Sequence, residues 1–236
     1  MYLVGGSVRD LLLELTVDDY DFVFVAYSWE HLVELAQGEF GPVPKAGTES
    51  GFVEFPDTFT LKGMKVIDRK RQICDIAAAR REYHSGPGHK PSAISLAPTL
   101  EEDLKRRDFT VNAMARDWKT GELIDLYGGQ ADLSARVLRC VGDTEKRLLE
   151  NPDRVIRAFY FQCKLVGFTF CEELEAVLRE SVVVQKAVAD DCPDRKAQQL
   201  TKLLKRASTA ELMGTISEYP QTWAAITKGL KLKFTT

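Results

Sequence analysis

The order of hydrophobic and polar residues changes character near residue 140. Before that point, apolar residues come in short runs or alternate with polar ones, a pattern typical of β-strands joined by turns. From Gly142 onward the strand pattern stops, and apolar residues recur every three or four positions, as in amphipathic helices. The chain is therefore predicted to have an α+β fold, with a mixed α/β domain over residues 1–140 and a helical part over residues 141–236.

Short helices and strands are predicted to alternate at the start of the chain. A helix is expected to begin near Ser7, and the apolar run that follows predicts a strand over residues 19–25. Ser28 has the residue type of an N-cap, and Gly38 is expected to end the helix that Ser28 begins.

The middle of the first domain is predicted to continue this mixed pattern. A strand at residues 51–55 is expected to pair with the first strand, and residues 65–77 to form one strand or a strand pair. Residues 84–98 contain three prolines and two glycines, which predicts a loop. A hairpin is expected over residues 118–126, with its turn at residues 119–121.

Several helices are marked by their first residues. Thr99 and Glu102, and later Ser208 and Glu211, have the three-residue spacing of a capping box. A further helical segment is predicted at residues 109–115. The helices expected in the second part cover residues 144–150, 152–166, 171–190, 194–206 and 208–218.

Composition narrows the class of protein. Apolar residues make up 44% of the chain and charged residues 28%, as in ordinary globular proteins. No apolar run is long enough to cross a bilayer, so no membrane partner is expected. The five cysteines lack C-x-x-C spacing and only three histidines accompany them. This set makes a zinc site unexpected and favours a reducing compartment, the cytoplasm.

Charge is divided unevenly along the chain. The net charge is −3, but the residues from Arg195 onward include eight basic and two acidic side chains, a net of +6. The rest of the chain then carries −9. An acidic front could hold a metal and a nucleotide while a basic rear contacts backbone phosphates. Alternatively, Lys202, Lys205 and Arg206 are only the solvated face of a helix.

The first twenty-five residues contain candidate chemistry. Asp19 and Asp21 are separated by one residue, so a strand directs both carboxylates to the same side, as an oxygen-seeking cation such as Mg²⁺ requires. Gly5 and Gly6 precede a helix, where backbone N–H groups can bind a phosphate. Such equipment suits phosphoryl or nucleotidyl transfer. Individually, the glycines could form a plain turn and an aspartate could cap one.

Two later segments offer further polar groups. Asp75 lies in the best strand section of residues 65–77, where it either adds a third carboxylate or is a surface residue at a strand end. Asp108 and Asn112 are four apart on a predicted helix that follows Arg107. They either hold a ribose hydroxyl and a triphosphate or form a buried polar network.

Seven stretches together resemble the class II CCA-adding enzymes and bacterial poly(A) polymerases, within the polymerase β-like nucleotidyltransferases. Their order and spacing agree with that family from the first residues to about Phe168. The stretches are YLVGGSVRDLLL, DDYDFV, CDIAAARREY, LEEDLKRRDFTVNAMA, LIDLYGG, VLRCVGD and ENPDRVIRAFYF.

The resemblance implies a head domain of the polymerase β-like fold followed by a helical neck and body. It also implies that Asp19 and Asp21 bind two Mg²⁺ ions, one at the 3′ hydroxyl of an RNA and one at the nucleoside triphosphate, with Asp75 near both. Pyrophosphate would leave in line. The residues implied to contact the ribose or the triphosphate are Gly5, Gly6, Arg9, Arg107, Asp108 and Asn112.

The neck departs from the family pattern. The family has Glu-Asp-x-x-Arg, whose Asp and Arg bind the edge of the incoming base, but here Asn151 stands in the Asp position and Arg154 in the Arg position. An amide both donates and accepts, whereas a carboxylate only accepts. Asn151 is equally suited to cap the next helix. Arg157 and Arg154 share a helix face with Phe161, which is either a stacking surface or core.

The expected function is template-independent addition of C and/or A to the 3′ end of tRNA, with CTP and ATP as substrates. Within the family, a poly(A) polymerase or a CC-only or A-only enzyme is the alternative. A non-catalytic RNA-binding module, or nucleotide transfer to a protein or small molecule, is an alternative of another class. The helical part is shorter than in the family, which suggests that a protein partner or an oligomer assists RNA binding.

Overall fold

The structure, a computed structural model, describes residues 1–17, 19–40, 53–55, 60–67, 70–84 and 91–230. The chain forms two compact units. The head unit consists of Met1–Tyr83 and Ala93–Ala131, and the helical unit of His84–Ser92 and Asp132–Thr236. No helix among the described residues is both long enough and apolar enough to cross a membrane.

The head unit is built on a mixed sheet of seven described strands. They are β1 Tyr2–Val4, β2 Tyr20–Phe24, β3 Val53–Phe55, β4 Thr60–Ile67, β5 Lys70–Ala78, β8 Met114–Asp117 and β9 Leu123–Asp125. Their order in the sheet is β3-β4-β5-β2-β1-β8-β9, and among these strands β2 and β5 are parallel while every other neighbouring pair is antiparallel. Two further strands, β6 Arg80–Tyr83 and β7 Ala93–Leu96, form a separate antiparallel pair.

The central strand of the seven-stranded sheet, β2, is buried on both faces. On one face, the ring of Phe22 makes edge contacts with Phe40 and Trp118, at centroid distances of 5.5 and 5.0 Å. On the other face, Val23 packs in a cluster with Val4 and Leu104. Because side chains alternate along a strand, Asp21 lies on the face of Val23. The helices of the head unit are α1 Gly6–Leu12, α2 Trp29–Phe40 and α3 Leu100–Lys105, followed by α4 Gly129–Ala135 at the junction with the next unit.

The helical unit contains one small parallel strand pair, β10 Val137–Leu138 with β11 Thr169–Phe170. Its aromatic core is centred on Phe159, whose ring lies 5.3 to 5.7 Å from those of Phe170, Tyr219 and Trp223. The helices are α5 Thr144–Glu150, α6 Asp153–Lys164, α7 Glu172–Glu180, α8 Val182–Asp190, α9 Pro193–Leu204, α10 Thr209–Glu218 and α11 Pro220–Thr227.

The strand and helix pattern of the sequence is largely confirmed. The first helix begins one residue before Ser7, and β2 falls within the predicted residues 19–25. The described residues within 65–77 belong to a strand pair, β4 with β5, and β8 with β9 form the predicted hairpin at the sheet edge. Ser208 and Glu211 form the complete capping box, whereas Thr99 accepts from the Glu102 N–H while Glu102 itself binds Arg81.

Several predicted elements were wrong in the head unit. Gly38 does not end its helix, which continues to Phe40 because that ring packs against Phe22. The strand at Val53–Phe55 pairs with β4 and not with β2. Within the predicted loop at 84–98, Ala93–Leu96 forms β7, and residues 85–90 of that loop lie outside the described part.

Two predicted helices were also wrong in their extent. The segment at 109–115 is a single 3₁₀ turn, Thr110–Asn112, followed by β8, because strand pairing on both sides outweighs the local helical pattern. The helix predicted at 171–190 is broken at Ser181, whose extended backbone ends α7 and whose Oγ accepts from the Val184 N–H to begin α8.

The division between the units falls after Ala131, slightly before the boundary expected near residue 140. The pairing of β10 with β11 explains this shift, because it attaches residues 137 and 138 to the helical unit. The domain limits drawn from the sequence stay a prediction.

Two glycines of the head unit differ in the space that a side chain would find. A Cβ on Gly129 would lie 2.8 Å from Cγ of Met114 and would also meet the carbonyl oxygen of Thr110, whereas a Cβ on the exposed, helical Gly38 would meet nothing within 4 Å. We expect Gly129→Ala to lower the free energy of unfolding by about 1–3 kcal/mol through overpacking. Gly38→Ala, the control, is expected to raise it by about 0.5–1 kcal/mol. Urea denaturation monitored by circular dichroism measures both; equal effects would contradict the packing.

Candidate active site of the head unit

A buried serine holds the aspartate segment against the first helix. The Oγ of Ser7, 2% exposed, donates to the backbone carbonyl of Asp19 and accepts from the backbone N–H of Asp21, both at 3.0 Å. One hydroxyl therefore satisfies a donor and an acceptor of the same loop, as its one proton and two lone pairs allow. The backbone that carries both carboxylates is fixed by a residue of α1.

Strand pairing brings two carboxylates together. Asp21 on β2 and Asp75 on β5 are direct register partners in the parallel pair, so both side chains project from the same face of the sheet. Both line a cavity of about 300 Å³ in the head unit. Asp19 is exposed and lies just before β2 begins, outside that lining.

Three arginines line the same cavity, Arg80, Arg106 and Arg107. The cavity therefore combines carboxylates, which suit a cation, with guanidinium groups, which suit phosphate. Within the described residues, no three His, Cys, Asp or Glu side chains lie close enough to hold a metal ion alone. A cation bound by these aspartates would complete its coordination with water or substrate oxygens.

Gly5 provides room between one of these arginines and Asp21. Its φ is 70°, in the left-handed region that favours glycine. A Cβ at this position would lie 2.8 Å from Nη1 of Arg107 and 3.8 Å from Oδ2 of Asp21. The N–H of Gly5 donates to the carbonyl of Met114, so its contribution to the site is space rather than a hydrogen-bond donor. A Cβ on Gly6 would instead approach the guanidinium of Arg9 at 3.3 Å.

Arg9 lies in a buried polar network. Its side chain is 2% exposed; Nε donates to Asp10 at 2.7 Å and Nη1 donates to Oδ1 of Asn112 at 2.5 Å. Asn112 in turn donates through Nδ2 to Asp108 at 3.1 Å. Asp108 and Asn112 are thus brought together by the 3₁₀ turn instead of a helix. This geometry favours the buried network that the sequence left open, and nucleotide contact by these side chains stays a prediction.

The candidate base-reading residues of the helical unit also make local contacts. Oδ1 of Asn151 accepts at 3.1 Å from the N–H of Asp153, the first residue of α6, although Pro152 holds the N-cap position of that helix. Arg154 is 6% exposed and donates through Nη1 to the carbonyl of Arg147 at 2.7 Å. The guanidinium of Arg157 lies 5.1 Å from the ring centroid of Phe161. Phe161 is buried, which favours its core role.

The basic rear of the chain is only partly available to a ligand. Arg195 pairs with the buried Asp153 at 2.6 Å. Lys196 is buried and donates to the carbonyls of Ala189 and Lys228, and this burial lowers the pKa of its ammonium group. Lys202, Lys205 and Arg206 are exposed, as a solvated helix face would be.

Sequence reasoning missed two residues at the site. Ser7 was used only to mark the beginning of a helix, because its contacts to the aspartate loop depend on folding. Arg80 was not considered, although it follows directly on the strand that carries Asp75. Its position just beyond that strand was the only available signal.

Comparisons with known proteins identify the family of the chain. The family model of the poly A polymerase head domain matches residues 1–139. A multifunctional CCA protein of Xanthomonas euvesicatoria pv. vesicatoria is 39% identical over 222 residues, which cover 92% of this chain and 48% of that protein. Another, from Stenotrophomonas maltophilia, is 35% identical, covering 92% and 49%. The chain therefore spans about half the length of these relatives.

Solved structures show the same likeness. The CCA-adding enzyme of Bacillus stearothermophilus in complex with CTP has a TM-score of 0.70 and 28% identity, covering 93% of this chain and 48% of that one. The Thermotoga maritima CCA-adding enzyme complexed with tRNA_CCA has a TM-score of 0.70 and 27% identity, covering 93% and 46%.

The serine bridge generates a paired prediction. We expect Ser7→Ala to lower the stability of the head unit by about 1–2 kcal/mol, because the backbone carbonyl of Asp19 and the backbone N–H of Asp21 lose a partly buried hydrogen-bond partner. We also expect Ser7→Ala to weaken the binding of Mn²⁺, used as a paramagnetic substitute for Mg²⁺, by about tenfold. The reason is that the backbone carrying Asp19 and Asp21 loses its contact with Ser7. Ser28→Ala is the control, because the Ser28 Oγ also accepts a backbone N–H, at 3.1 Å, but on α2. Unfolding and Mn²⁺ titration by electron paramagnetic resonance measure the two quantities. Equal loss of Mn²⁺ affinity in both variants would contradict the assignment.

Proposed function

Because the chain belongs to the family of the poly A polymerase head domain, we propose that it is a template-independent RNA nucleotidyltransferase. It adds C and/or A to the 3′ end of tRNA, uses CTP and ATP, and releases pyrophosphate. The observation that carries this proposal is the convergence of Asp21, Asp75 and Arg107 on one cavity of the head unit. The similarity to the Thermotoga maritima CCA-adding enzyme complexed with tRNA_CCA supports tRNA as the acceptor.

The donor set fits Mg²⁺. This cation typically binds one or two carboxylates and completes its octahedron with water and substrate phosphate oxygens. In this proposal Asp19 and Asp21 hold two Mg²⁺ ions and Asp75 supports them as the register partner of Asp21. Bound Mg²⁺ supplies Lewis-acid stabilisation of the charges that develop on the attacking and leaving oxygens.

The residues of the head unit then orient the reactants. The guanidinium of Arg107 donates to the triphosphate and offsets the negative charge of the departing pyrophosphate. The missing Cβ of Gly5 lets a phosphate approach beside this guanidinium and Asp21. Arg9 is proposed to contact the triphosphate, and Asp108 and Asn112 the ribose and the triphosphate, from the buried network that the three side chains share. Gly6 is part of the same turn.

The helical unit is proposed to select the base through Asn151, Arg154 and Arg157. With Oδ1 of Asn151 accepting from a backbone N–H, the amide presents its Nδ2 as a donor, unlike the carboxylate of the family pattern. Arg154 is tied to the end of α5 by the Arg147 carbonyl, which orients it rigidly. The sequence of the nucleotides added to truncated tRNA measures the choice between CTP and ATP.

The second candidate is a poly(A) polymerase, because the matching family model bears that description. A CC-only or A-only enzyme is a variant of the first proposal.

The exposed Lys202, Lys205 and Arg206 offer a surface for RNA phosphates. Assistance by a protein partner or an oligomer, and a cytoplasmic location, stay predictions.

Removing the aspartates tests the chemistry. We expect the double variant Asp19→Ala with Asp21→Ala to lose nucleotide incorporation by about a thousandfold or more, because the cation clamp contributes several kcal/mol to transition-state stabilisation. Glu122→Ala, an exposed residue of the head unit, is the control. Incorporation of labelled CTP and ATP into tRNA lacking its 3′ end measures the rate.

Wild-type activity in the double variant would show that the metal assignment is wrong. Thermal stabilisation of the wild type by Mg²⁺ with each nucleotide is a second readout. If neither incorporation nor stabilisation occurs with any nucleotide, the protein is a binding module instead of an enzyme.

The product sequence separates the members of the family. We offer four RNAs, a tRNA ending at its discriminator base and the same tRNA ending in C, CC or CCA, with CTP, ATP or both. A CCA-adding enzyme is expected to add C to the first two, one A to the third and nothing to the fourth. Growth beyond one A with ATP alone would identify a poly(A) polymerase and contradict the first proposal.

A further inference from the structure

A network of five charged side chains lies at the arginine side of the cavity. It consists of an arginine cluster, Arg80, Arg106 and Arg107, and an acid pair, Glu82 and Asp103. All three arginines line the cavity that contains Asp21 and Asp75, whereas neither member of the acid pair does. The acid pair thus contacts the arginines from outside the lining.

Asp103 binds two of the arginines with separate oxygens. Its Oδ1 accepts from Nε and Nη2 of Arg106 at 3.0 and 2.7 Å. Its Oδ2 accepts from Nε and Nη2 of Arg107 at 3.3 and 2.9 Å. The backbone N–H of Arg80 also donates to Oδ1, at 3.3 Å. Asp103 is 0% exposed, so these contacts replace all of its hydration.

Glu82 connects the third arginine to the same network. Its Oε1 accepts from Nε and Nη2 of Arg80 at 3.2 and 3.0 Å, and from Nη1 of Arg106 at 2.8 Å. Arg106 is therefore held on both sides, by Asp103 and by Glu82. Such multiple contacts leave a guanidinium few orientations, because its donors form a rigid planar fork.

The Nη1 group of Arg107, which Asp103 does not contact, lies on the side of Asp21. Nε and Nη2 are taken by Asp103, while Nη1 lies next to Gly5, where a Cβ would also be 3.8 Å from Oδ2 of Asp21. The edge of Arg107 that Asp103 does not hold therefore faces the carboxylate side of the cavity. A phosphate between Arg107 and a cation at Asp21 would contact both.

The negative charges of Glu82 and Asp103 offset the repulsion among the three arginines of the cavity. Burial and the neighbouring charge of Arg106 lower the pKa of Arg80, which reports the repulsion within the cluster. Burial would lower the pKa of Arg106, but Asp103 and Glu82 outweigh it and raise the value. Burial alone would raise the pKa of Asp103, but Arg107 and Arg106 outweigh it and lower the value. Within this network of five side chains, two negative charges against three positive charges give a net charge of +1.

We propose that the acid pair consists of positioning residues, which aim the arginine cluster at the triphosphate of the incoming nucleotide. This inference rests on the proposed function and extends it, since Arg80 and Arg106 join Arg107 in binding the polyphosphate. The ligand class is a nucleoside triphosphate or its polyphosphate moiety.

Steady-state kinetics of Glu82→Gln tests the proposal, because Glu82 is less buried than Asp103 and its loss disturbs folding less. We expect KM for CTP and ATP to rise about tenfold, while kcat and KM for RNA change less than about threefold, since one charge-assisted contact is lost in nucleotide binding. Glu82→Asp, which keeps the charge, is expected to have an intermediate KM. Asp103→Asn should shift KM in the same direction, provided that its unfolding transition shows a folded protein.

Glu102→Gln is the matched control. Glu102 neighbours Asp103 on α3 and pairs with Arg81 at 2.5 Å, but neither Glu102 nor Arg81 lines the cavity. Its KM is expected to stay at the wild-type value. Calorimetric titration of metal-free wild type and Glu82→Gln with inorganic tripolyphosphate gives a readout without turnover, and the variant should bind about tenfold more weakly.

Three outcomes would overturn the inference. A lower kcat with unchanged KM for nucleotide would reveal a purely structural role for Glu82. A rise in KM for RNA instead of nucleotide would assign the arginines to the acceptor strand. An equal rise in KM for nucleotide in Glu102→Gln would show that the effect is not specific to the acid pair. None of these outcomes concerns the proposed function, which fails if the wild type incorporates no nucleotide, whereas retained activity in the aspartate double variant would reject the metal assignment.

Discussion

The parallel pairing of β2 with β5 is the constraint on which the candidate site depends. It makes Asp21 and Asp75 register partners, and among the described strands of this sheet it is the one parallel pair. Two carboxylates held side by side repel each other, and the arginines that line the same cavity offset this repulsion. The buried rings and aliphatic side chains on either face of β2 stabilise the register, because a slip of one residue would turn Asp21 toward the core face of Phe22.

Around this pair the head unit uses hydrogen bonds to fix backbone and guanidinium groups. Ser7 fixes the loop before β2, and Asp103 fixes two arginines with one buried carboxylate. Both residues contribute geometry instead of direct chemistry. The positive φ of Gly5 completes the arrangement by leaving space where any other residue would displace Arg107. Positioning of this kind is what nucleotidyl transfer needs, since its catalysis rests mainly on alignment and charge.

The fold was predictable where its signals are local. N-caps at Ser28 and Ser208 and the apolar run of β2 are each encoded within a few residues, and they were confirmed. Errors occurred where distant partners decide the outcome. The segment 109–115 carries a helical pattern, yet Met114–Asp117 becomes a strand because β1 and β9 offer it hydrogen bonds on both edges. Likewise Ala93–Leu96 forms a strand only because β6 is there to pair with it.

The sequence by itself determined the residue types and spacings of the site: two aspartates one residue apart, a glycine pair before a helix, and arginines beside Asp108. These are properties of a few consecutive residues, and they suffice to identify a family. Only the tertiary structure decided which side chains meet. It made Asp75 the partner of Asp21, directed Arg9 into a buried network and brought Arg80 to the cavity. Such meetings depend on strand register and burial, which arise from contacts between residues far apart in the chain and leave no local pattern to read.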